Sequence, residues 1–231
     1  MANHYLVTGA SRGIGFETVK HLAENNHLIT AVARSGDKLS SLRGLYPELI
    51  RTQSADITSE QDRASIVQQM KDNGLTLDGI VHNAGLLINK PFSELTNSDW
   101  QRQMDVNLLA PVFLTRDLLD VLNPGSHILN ISSMGGYQGS SKFPGLTGYS
   151  VAKGALSIFA ECLPGELTDN NIKCNSLCLG AVQTEMLESA FPGMEAPVKA
   201  GEMGKYISNF LENGHTFYNG KILPVALADP S

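Results

Sequence analysis

The chain has 231 residues, 42% of them hydrophobic, and a formal net charge of −6 at pH 7. A chain of about 200–250 residues suits one α/β domain, so residues 1–231 are expected to form a single domain. The mild acidity argues against nucleic acid and anionic membranes as partners, and without a signal-like start or an apolar run of about 20 residues the expected location is the cytoplasm.

Short apolar runs alternate with segments of helical periodicity along the whole chain. Strands are predicted at 4–9, 27–33, 49–55, 77–83, 126–132, 172–180 and 220–226. Helices are predicted at 15–25, 37–46, 60–73, 98–122, 149–168 and 202–212. The alternation predicts a Rossmann-like, doubly wound parallel sheet of about seven strands with helices on both faces, in which ligands bind at the carboxyl ends of the strands.

The segment "TGASRGIG" at 8–15 follows the first predicted strand and opens the first predicted helix. Its glycines, Gly9, Gly13 and Gly15, indicate a backbone that turns tightly or approaches another group closely. A phosphate at the helix N-terminus is one explanation, and a simple turn between strand and helix is the other. The position at the carboxyl end of a strand favours the phosphate.

This segment resembles the T-G-x-x-x-G-x-G cofactor motif of the short-chain dehydrogenases/reductases. Further motifs follow in the order of that family: Asp56 in "SADIT", "HNAG" at 82–85, Asn107 in "MDVNLLAP", "NISS" at 130–133 and "YSVAK" at 149–153. Each motif alone is weak, but together they extend the resemblance over nearly the whole chain. The resemblance implies a nicotinamide cofactor and an oxidoreductase.

The strand ends and the resemblance together give a set of expected cofactor-binding residues. The resemblance implies that the Asp56 carboxylate accepts a hydrogen bond from adenine, whereas the alternative is that Asp56, or equally Thr58, caps the next helix. His82 stands where the family often has Asn and is interpreted as structural, with a hydrogen bond between strands. The full set is Gly9, Ser11, Arg12, Gly13, Ile14, Gly15, Arg34, Asp56, Ile57, Asn83, Ala84, Gly85, Tyr149, Lys153, Gly180, Val182 and Thr184.

The end of the second predicted strand bears on which cofactor is used. An NAD-selective site presents an acidic residue there, but this chain has Ala33 and Arg34. Arg34 and Arg12 are expected to converge on the 2′-phosphate of NADP(H), since guanidinium groups bind phosphate through strong paired hydrogen bonds. The alternative is that both are solvated surface arginines.

Tyr149 and Lys153 lie four residues apart and therefore on one face of a helix. A phenol has a pKa near 10, and a neighbouring ammonium together with oxidised nicotinamide would stabilise the phenolate. Tyr149 is expected to protonate a carbonyl oxygen, and the resemblance implies that Lys153 holds the nicotinamide ribose. Ser133 is expected to hydrogen-bond the same oxygen, because strand alternation turns only one of Ser132 and Ser133 inward and the family pattern selects the second. A solvated pair on a helix surface is the alternative for Tyr149 and Lys153.

Asn107 falls within a predicted helix, four residues before Pro111. Because proline lacks an N–H, the Asn107 carbonyl loses its helical partner and the helix is expected to bend, leaving a free acceptor that faces the site. The resemblance implies that Asn107 places a water linking the lysine to solvent. The alternative is a tolerated asparagine in a kinked core helix.

Three departures from the family pattern affect the edges of the site. Leu179 replaces the usual proline in "LCLGAVQTEM", the segment between Ser133 and Tyr149 is longer than in the family, and the ending "ALADPS" lacks a frequent glycine pair. The irregular segments 134–146 and 185–201 are expected to wall the substrate pocket. Cys162, Cys174 and Cys178 are interpreted as reduced core thiols, and no metal is expected.

These observations predict an NADP-dependent enzyme that reduces a ketone or an aldehyde to an alcohol, reversibly, with Asn107, Ser133, Tyr149 and Lys153 as catalytic residues. The alternatives are a catalytically silent NADP-binding regulatory protein, an epimerase or dehydratase, and a 3-oxoacyl-carrier-protein reductase. A carrier protein is disfavoured because the loops 117–127 and 165–173, expected to flank the pocket, carry more carboxylates than cations. The expected partners are a small carbonyl or alcohol substrate and further copies of the chain, as a homodimer or homotetramer formed through the helices 98–122 and 149–168.

Overall fold

A computed structural model describes residues 2–227, so the last four residues of "ALADPS" lie outside the described part. Seven parallel strands form one sheet in the order β3-β2-β1-β4-β5-β6-β9, and the predicted fold class is confirmed. The strands of this sheet are β1 His4–Thr8, β2 Leu28–Ala33, β3 Ile50–Ser54, β4 Leu77–His82, β5 Leu122–Ser133, β6 Lys173–Leu179 and β9 Lys221–Val225. A separate pair joins β7 Val182–Gln183 to β8 Val198–Lys199.

Helices cover both faces of the sheet and bury two hydrophobic cores. Alternate residues of β1 point to opposite faces, so Tyr5 and Val7 pack with one core while Leu6 packs with the other. Helices α1, α2 and α8 bury apolar residues in the first core, and α3, α5 and α6 do so in the second. The helices are α1 Gly13–Glu24, α2 Gly36–Leu45, α3 Glu60–Asp72, α4 Asn97–Met104, α5 Ala110–Asp117, α6 Thr147–Glu166, α7 Glu185–Ala190 and α8 Ala200–Asn213.

The helix predicted at 98–122 is in fact α4 and α5 joined by a π-helical turn at Asp105–Leu109. In the wide turn the N–H of Ala110 donates to the Asp105 carbonyl five residues earlier. Pro111 then occupies the first turn of α5, and because it lacks an N–H it donates no hydrogen bond to a carbonyl of the preceding turn. The expected disturbance at this proline therefore takes the form of a widened turn, and the chain enters β5 at Leu122.

Other local expectations also need correction. Ser59 caps α3 by accepting from the Asp62 N–H, so neither Asp56 nor Thr58 is the cap. The supposedly irregular segment 185–201 contains α7, which was missed because it is only six residues long. Cys174 and Cys178 are buried but Cys162 is exposed on α6. Within the described residues, no helix is long and apolar enough to cross a membrane.

Candidate active site

A cavity of about 720 Å³ opens at the carboxyl ends of the strands, where the strand order reverses between β1 and β4. It is lined by every residue of the predicted site except Gly15 and Asn107. The predicted residues that line it are Gly9, Ser11, Arg12, Gly13, Ile14, Arg34, Asp56, Ile57, Asn83, Ala84, Gly85, Ser133, Tyr149, Lys153, Gly180, Val182 and Thr184.

The glycines of the first loop serve two different needs. Gly13 has φ +56°, a left-handed conformation that favours glycine, and Gly9 has φ +67°. Gly9 is also tightly packed, because an added Cβ would lie 2.8 Å from Ala84 Cα. A Cβ at Gly15 would collide with the Asn83 amide and the Gly9 carbonyl. Gly15 therefore acts one layer behind the cavity, by letting the loop pack against the end of β4.

The N-terminus of α1 is open toward the cavity. Its N-cap residue, Arg12, makes no side-chain hydrogen bond to the helix, so the first-turn N–H groups lack a capping side chain. The loop is held from behind, since Asn83 Nδ2 donates to the Thr8 carbonyl at 3.0 Å and the Asn83 N–H donates to Thr8 Oγ1 at 3.1 Å. Oriented N–H groups at the positive end of a helix dipole suit a pyrophosphate, so this end of the cavity fits a dinucleotide.

A bridge of charged side chains spans the adenosine end of the cavity. Arg12 Nη1 lies 2.6 Å from Glu185 Oε2, and Lys38 Nζ lies 3.8 Å from Glu185 Oε1. The hydrogen bond from Arg12, with the charge of Lys38, lowers the pKa of Glu185. Arg34 lines the same end and has no ion-pair partner among residues 2–227. Sequence reasoning missed Lys38 and Glu185, because the contact between Arg12 and Glu185 joins positions 173 residues apart.

Asp56 lines the cavity with one of its oxygens already engaged. Its Oδ1 accepts from the Thr58 N–H at 3.0 Å and from Thr58 Oγ1 at 2.7 Å. Its own N–H donates to Asp62 Oδ2 at 2.7 Å. The carboxylate is therefore fixed in orientation with Oδ2 left to accept another donor, as an adenine contact requires.

Ser133, Tyr149 and Lys153 meet at the other end of the cavity. Ser133 is the last residue of β5, and Tyr149 is in the first turn of α6 with Lys153 one turn later. Lys153 Nζ donates to the Ile131 carbonyl at 2.8 Å and lies 5.9 Å from the centre of the Tyr149 ring. The structure therefore brings these three side chains to the same end of the cavity.

The neighbouring serines Ser132 and Ser133 make different contacts. Ser132 Oγ is buried and donates to the Lys153 carbonyl at 2.8 Å, and Ser157 Oγ donates in turn to Ser132 Oγ at 2.9 Å. Ser133 Oγ accepts from the Gly135 N–H at 3.1 Å. Ser132 thereby fixes α6 against β5, and the hydroxyl of Ser133 remains free to donate.

Burial dominates the protonation of the tyrosine and the lysine in the ligand-free chain. It raises the pKa of Tyr149 to about 12, and the Ser133 hydroxyl offsets part of this rise. It lowers the pKa of Lys153 to about 8, with Cys178 opposing in part. The expected stabilisation of the phenolate involves the lysine together with oxidised nicotinamide and so concerns the loaded enzyme, whereas in the ligand-free chain burial favours the neutral phenol.

Asn107 lies behind the cavity with its side chain fully engaged. Its Nδ2 donates to the Leu86 carbonyl at 2.7 Å and to the Gln103 carbonyl at 2.9 Å, and its Oδ1 accepts from the Leu86 N–H at 3.0 Å. Asn107 therefore fixes the loop after β4 through its side chain. Placement of a water by the Asn107 main-chain carbonyl stays a prediction.

The residues that depart from the family pattern have structural roles. His82 is buried, which lowers its pKa to about 3, and its Nε2 lies 2.8 Å from Thr115 Oγ1 on α5. The expected hydrogen bond of His82 between strands is therefore replaced by one to a helix. Leu179 remains in β6, paired with Val225. Gly180 is required beyond it, since a Cβ there would lie 2.9 Å from Ala226 Cβ.

The loops 117–127 and 165–173 do not flank the cavity. Residues 117–127 run from the end of α5 into the first half of β5, and residues 165–173 run from the end of α6 to the start of β6. Both segments therefore lie toward the amino ends of the strands, and none of their residues lines the cavity. Their carboxylates therefore carry no argument about a carrier protein. The segments 134–146 and 185–201 do contribute to the wall, through Met134, Phe143, Leu146 and the residues of and after α7.

Comparisons with known proteins agree with this architecture. A family model described as short chain dehydrogenase matches residues 3–195. A benzil reductase ((S)-benzoin forming) of Saccharomyces cerevisiae is 30% identical over 80% of this chain and 74% of its own length. A cyclopentanol dehydrogenase of Comamonas is 28% identical over 84% of this chain and 78% of its own.

Solved structures show the same fold. A 3-ketoacyl-(acyl-carrier-protein) reductase from Brucella melitensis, complexed with NADH, superimposes with a TM-score of 0.88 at 22% identity and covers 97% of this chain and 96% of its own. A short-chain dehydrogenase/reductase from Serratia marcescens gives a TM-score of 0.87 at 23% identity, with the same coverage. The chain therefore belongs to the short-chain dehydrogenase family and is an enzyme of that oxidoreductase family.

Proposed function

We propose that this chain reduces a ketone or an aldehyde to an alcohol with NADPH as the reductant, and catalyses the reverse oxidation. The observation that carries the proposal is the grouping of Ser133, Tyr149 and Lys153 at one end of a cavity whose other end holds the glycine-rich loop and the open N-terminus of α1. Binding a dinucleotide requires only the second end. The first end supplies groups that handle a proton, which favours an enzyme over a silent NADP-binding protein.

The positive charge at the adenosine end supports NADPH over NADH. Arg12, Arg34 and Lys38 line that end, and β2 ends in Ala33, where an NAD-selective site carries an acid. A 2′-phosphate offers the acceptors that these cations would bind. The Glu185 carboxylate pairs with Arg12 and Lys38 and so competes with the 2′-phosphate for these two cations. It therefore limits the preference for NADPH over NADH.

The chain's own residues handle the proton of the reduction. When bound, reduced nicotinamide supplies a hydride, and so both electrons, to the carbonyl carbon. The Tyr149 hydroxyl donates its proton to the carbonyl oxygen, which completes the alcohol and leaves a phenolate. Ser133 donates a hydrogen bond to the same oxygen, and the Lys153 ammonium stabilises the phenolate until it regains a proton from solvent.

The named activities of the relatives support this reaction class. The benzil reductase and the cyclopentanol dehydrogenase are named for the reduction of a carbonyl compound and the oxidation of an alcohol. The neighbour from Brucella melitensis is named a 3-ketoacyl-(acyl-carrier-protein) reductase, which keeps a carrier-bound substrate as a second candidate. Comparing kcat/KM for a carrier-bound 3-oxoacyl chain and for its short thioester separates the two candidates.

Steady-state ketone reduction with each cofactor tests the proposal. We expect kcat/KM for NADPH to exceed that for NADH by about tenfold or more, equivalent to roughly 1.4 kcal/mol. The variant Arg34→Asp should reverse or abolish this preference. Arg43→Asp, which makes the same charge change at an exposed position of α2 outside the cavity, is the matched control. Equal use of both cofactors by the unaltered chain contradicts the NADPH assignment.

A further inference from the structure

The cavity has an apolar compartment next to the proposed catalytic groups. Met134 directly follows Ser133, and Leu146 lies three residues before Tyr149. The side chains of this compartment carry only carbon and sulfur beyond the backbone, and they come from three segments that follow β4, follow β5 and follow β7. They are Leu86, Leu87, Met134, Phe143, Leu146, Met186, Leu187, Phe191 and Met194.

The three segments are fastened to one another, so the compartment is a built feature of the fold. Asn89 Nδ2 donates to the Ala190 carbonyl at 2.9 Å and joins the loop after β4 to the end of α7. The Lys90 N–H donates to the Gly145 carbonyl at 3.0 Å and joins the same loop to the segment before α6. The planes of the Phe143 and Phe191 rings are tilted by 59° to each other, and the ring centres lie 6.5 Å apart.

The apolar side chains of the compartment do not belong to either hydrophobic core. Phe143, Met186 and Phe191 are only half-buried, and Met194 is 40% exposed. Contiguous apolar surface around a cavity that the chain itself does not cover indicates a site for an apolar ligand. Both aromatic rings and thioether groups also make favourable contacts with a flat aromatic partner.

The two lysines near the compartment are engaged elsewhere. Lys90 Nζ pairs with Asp99 Oδ2 at 2.8 Å, and Lys142 Nζ donates to Ser140 Oγ at 2.7 Å. Neither lysine lines the cavity. Arg102 and Asp105 line the cavity from the exposed end of α4 and the turn after it, so that wall carries one charge of each sign. The nine side chains of the compartment are themselves uncharged, and the hydroxyl groups of Ser133 and Tyr149 adjoin them.

We propose that the substrate is a bulky, uncharged ketone that carries an aromatic group. Its carbonyl oxygen lies toward Ser133 and Tyr149, and its ring packs against Phe143, Phe191 and the methionines. This inference rests on the proposed reductase function and adds the substrate class. A carboxylate placed on the ring would lose its hydration among uncharged side chains, so it would bind poorly.

Three ketones test the substrate class: 2-acetylnaphthalene, 6-acetyl-2-naphthoate, which adds a carboxylate to the same ring, and 2-butanone, which lacks the ring. With NADPH, kcat/KM for 2-acetylnaphthalene should exceed that for each of the other two by about tenfold or more. A preference for the naphthoate or for 2-butanone overturns the substrate class and leaves the reductase function standing. If none of the three ketones supports NADPH oxidation, the reductase function and the substrate class are both overturned.

The variant Phe191→Ala tests the compartment itself. The ratio of kcat/KM for 2-acetylnaphthalene to kcat/KM for 2-butanone should fall by about tenfold, because only 2-acetylnaphthalene has a ring that loses a contact. Phe217→Ala, at a position 81% exposed and outside the cavity, is the matched control and should leave the ratio unchanged. NADPH binding by each variant reports that it is folded, and Met186→Ala replaces Phe191→Ala if the latter does not bind NADPH. An unchanged ratio in the folded variant overturns the proposal.

Discussion

At the scale of single residues, Glu185 connects three elements that would each contact the cofactor. It is the first residue of α7, and it pairs with Arg12 before α1 and with Lys38 on α2. The pair with Arg12 is solvent-exposed, so it is weak and opens readily. A 2′-phosphate must compete with this carboxylate for the same cations.

Removing the Glu185 charge should therefore strengthen NADPH binding. In Glu185→Gln, the dissociation constant for NADPH should fall by about two- to fivefold, the range of a weak exposed pair, while that for NADH changes less. Fluorescence titration of both cofactors measures the two constants. Glu48→Gln makes the same charge change at an exposed position outside the cavity and serves as the control. Weaker NADPH binding in Glu185→Gln would show that the carboxylate supports the cofactor.

The opposite pKa shifts of Tyr149 and Lys153 predict a pH profile for ketone reduction. Burial lowers the pKa of Lys153 to about 8, so its charge is lost as the pH rises through that value. Burial raises the pKa of Tyr149 to about 12, so the proton donor stays loaded over the same range. Because kcat/KM for NADPH reports the cofactor-free enzyme, it should decline as the pH rises through about 8. A profile that stays flat up to about pH 10 would indicate an unperturbed lysine.

At the scale of elements, the π-helical turn between α4 and α5 holds the loop after β4. Asn107 satisfies both main-chain groups of Leu86, and also bonds the Gln103 carbonyl in its own helix. Buried polar groups left without partners are costly. The turn therefore links the position of α4 to the shape of the cavity.

The variant Asn107→Ala should lower the free energy of unfolding by about 1–3 kcal/mol, because the Leu86 groups lose their partners. Denaturant unfolding with a constant m-value measures the change. Asn213→Ala is the matched control, since Asn213 Nδ2 also donates to the carbonyl four residues earlier but on an exposed helix end. Equal stability losses in the two variants would mean that the clamp on Leu86 contributes nothing.

The elements differ in how far the sequence determines them. The seven strands of the main sheet could be predicted because their apolar runs are bounded by turn residues, whereas α7 is too short for its periodicity to be read. The glycine loop could be predicted because it follows a strand end, and the grouping of Ser133 with Tyr149 could be predicted because the family resemblance implies it. The contacts of Asn107 with Leu86 and of Arg12 with Glu185 could not, because they join distant positions through side chains whose directions only the fold defines.

At the scale of the whole molecule, α6 presents an apolar stripe to solvent on the face opposite the core. Val151 is 49% exposed and Ile158 is 54% exposed, with Ala155 between them and Cys162 one turn beyond. Positions spaced by four, three and four residues lie along one side of a helix. This stripe supports the proposal that the chain associates through α6.

A charge in the stripe should weaken that association. Ile158→Glu should shift the mass measured by light scattering at micromolar concentration toward that of the monomer, because a buried unpaired carboxylate opposes assembly. Leu45→Glu places the same charge at a position 52% exposed on α2 and should leave the mass of the oligomer unchanged. A monomeric mass for the unaltered chain would refute the association itself.

In the proposed reaction of the whole molecule, Tyr149 transfers the proton when a ketone is reduced with NADPH. The direct measurement compares turnover and NADPH binding in Tyr149→Phe with those in Tyr137→Phe, a tyrosine outside the main cavity. Tyr149→Phe should lose about 10²–10⁴-fold or more in kcat with NADPH affinity nearly intact, because only the transferable proton is removed. Turnover within about tenfold of the unaltered chain would contradict the account.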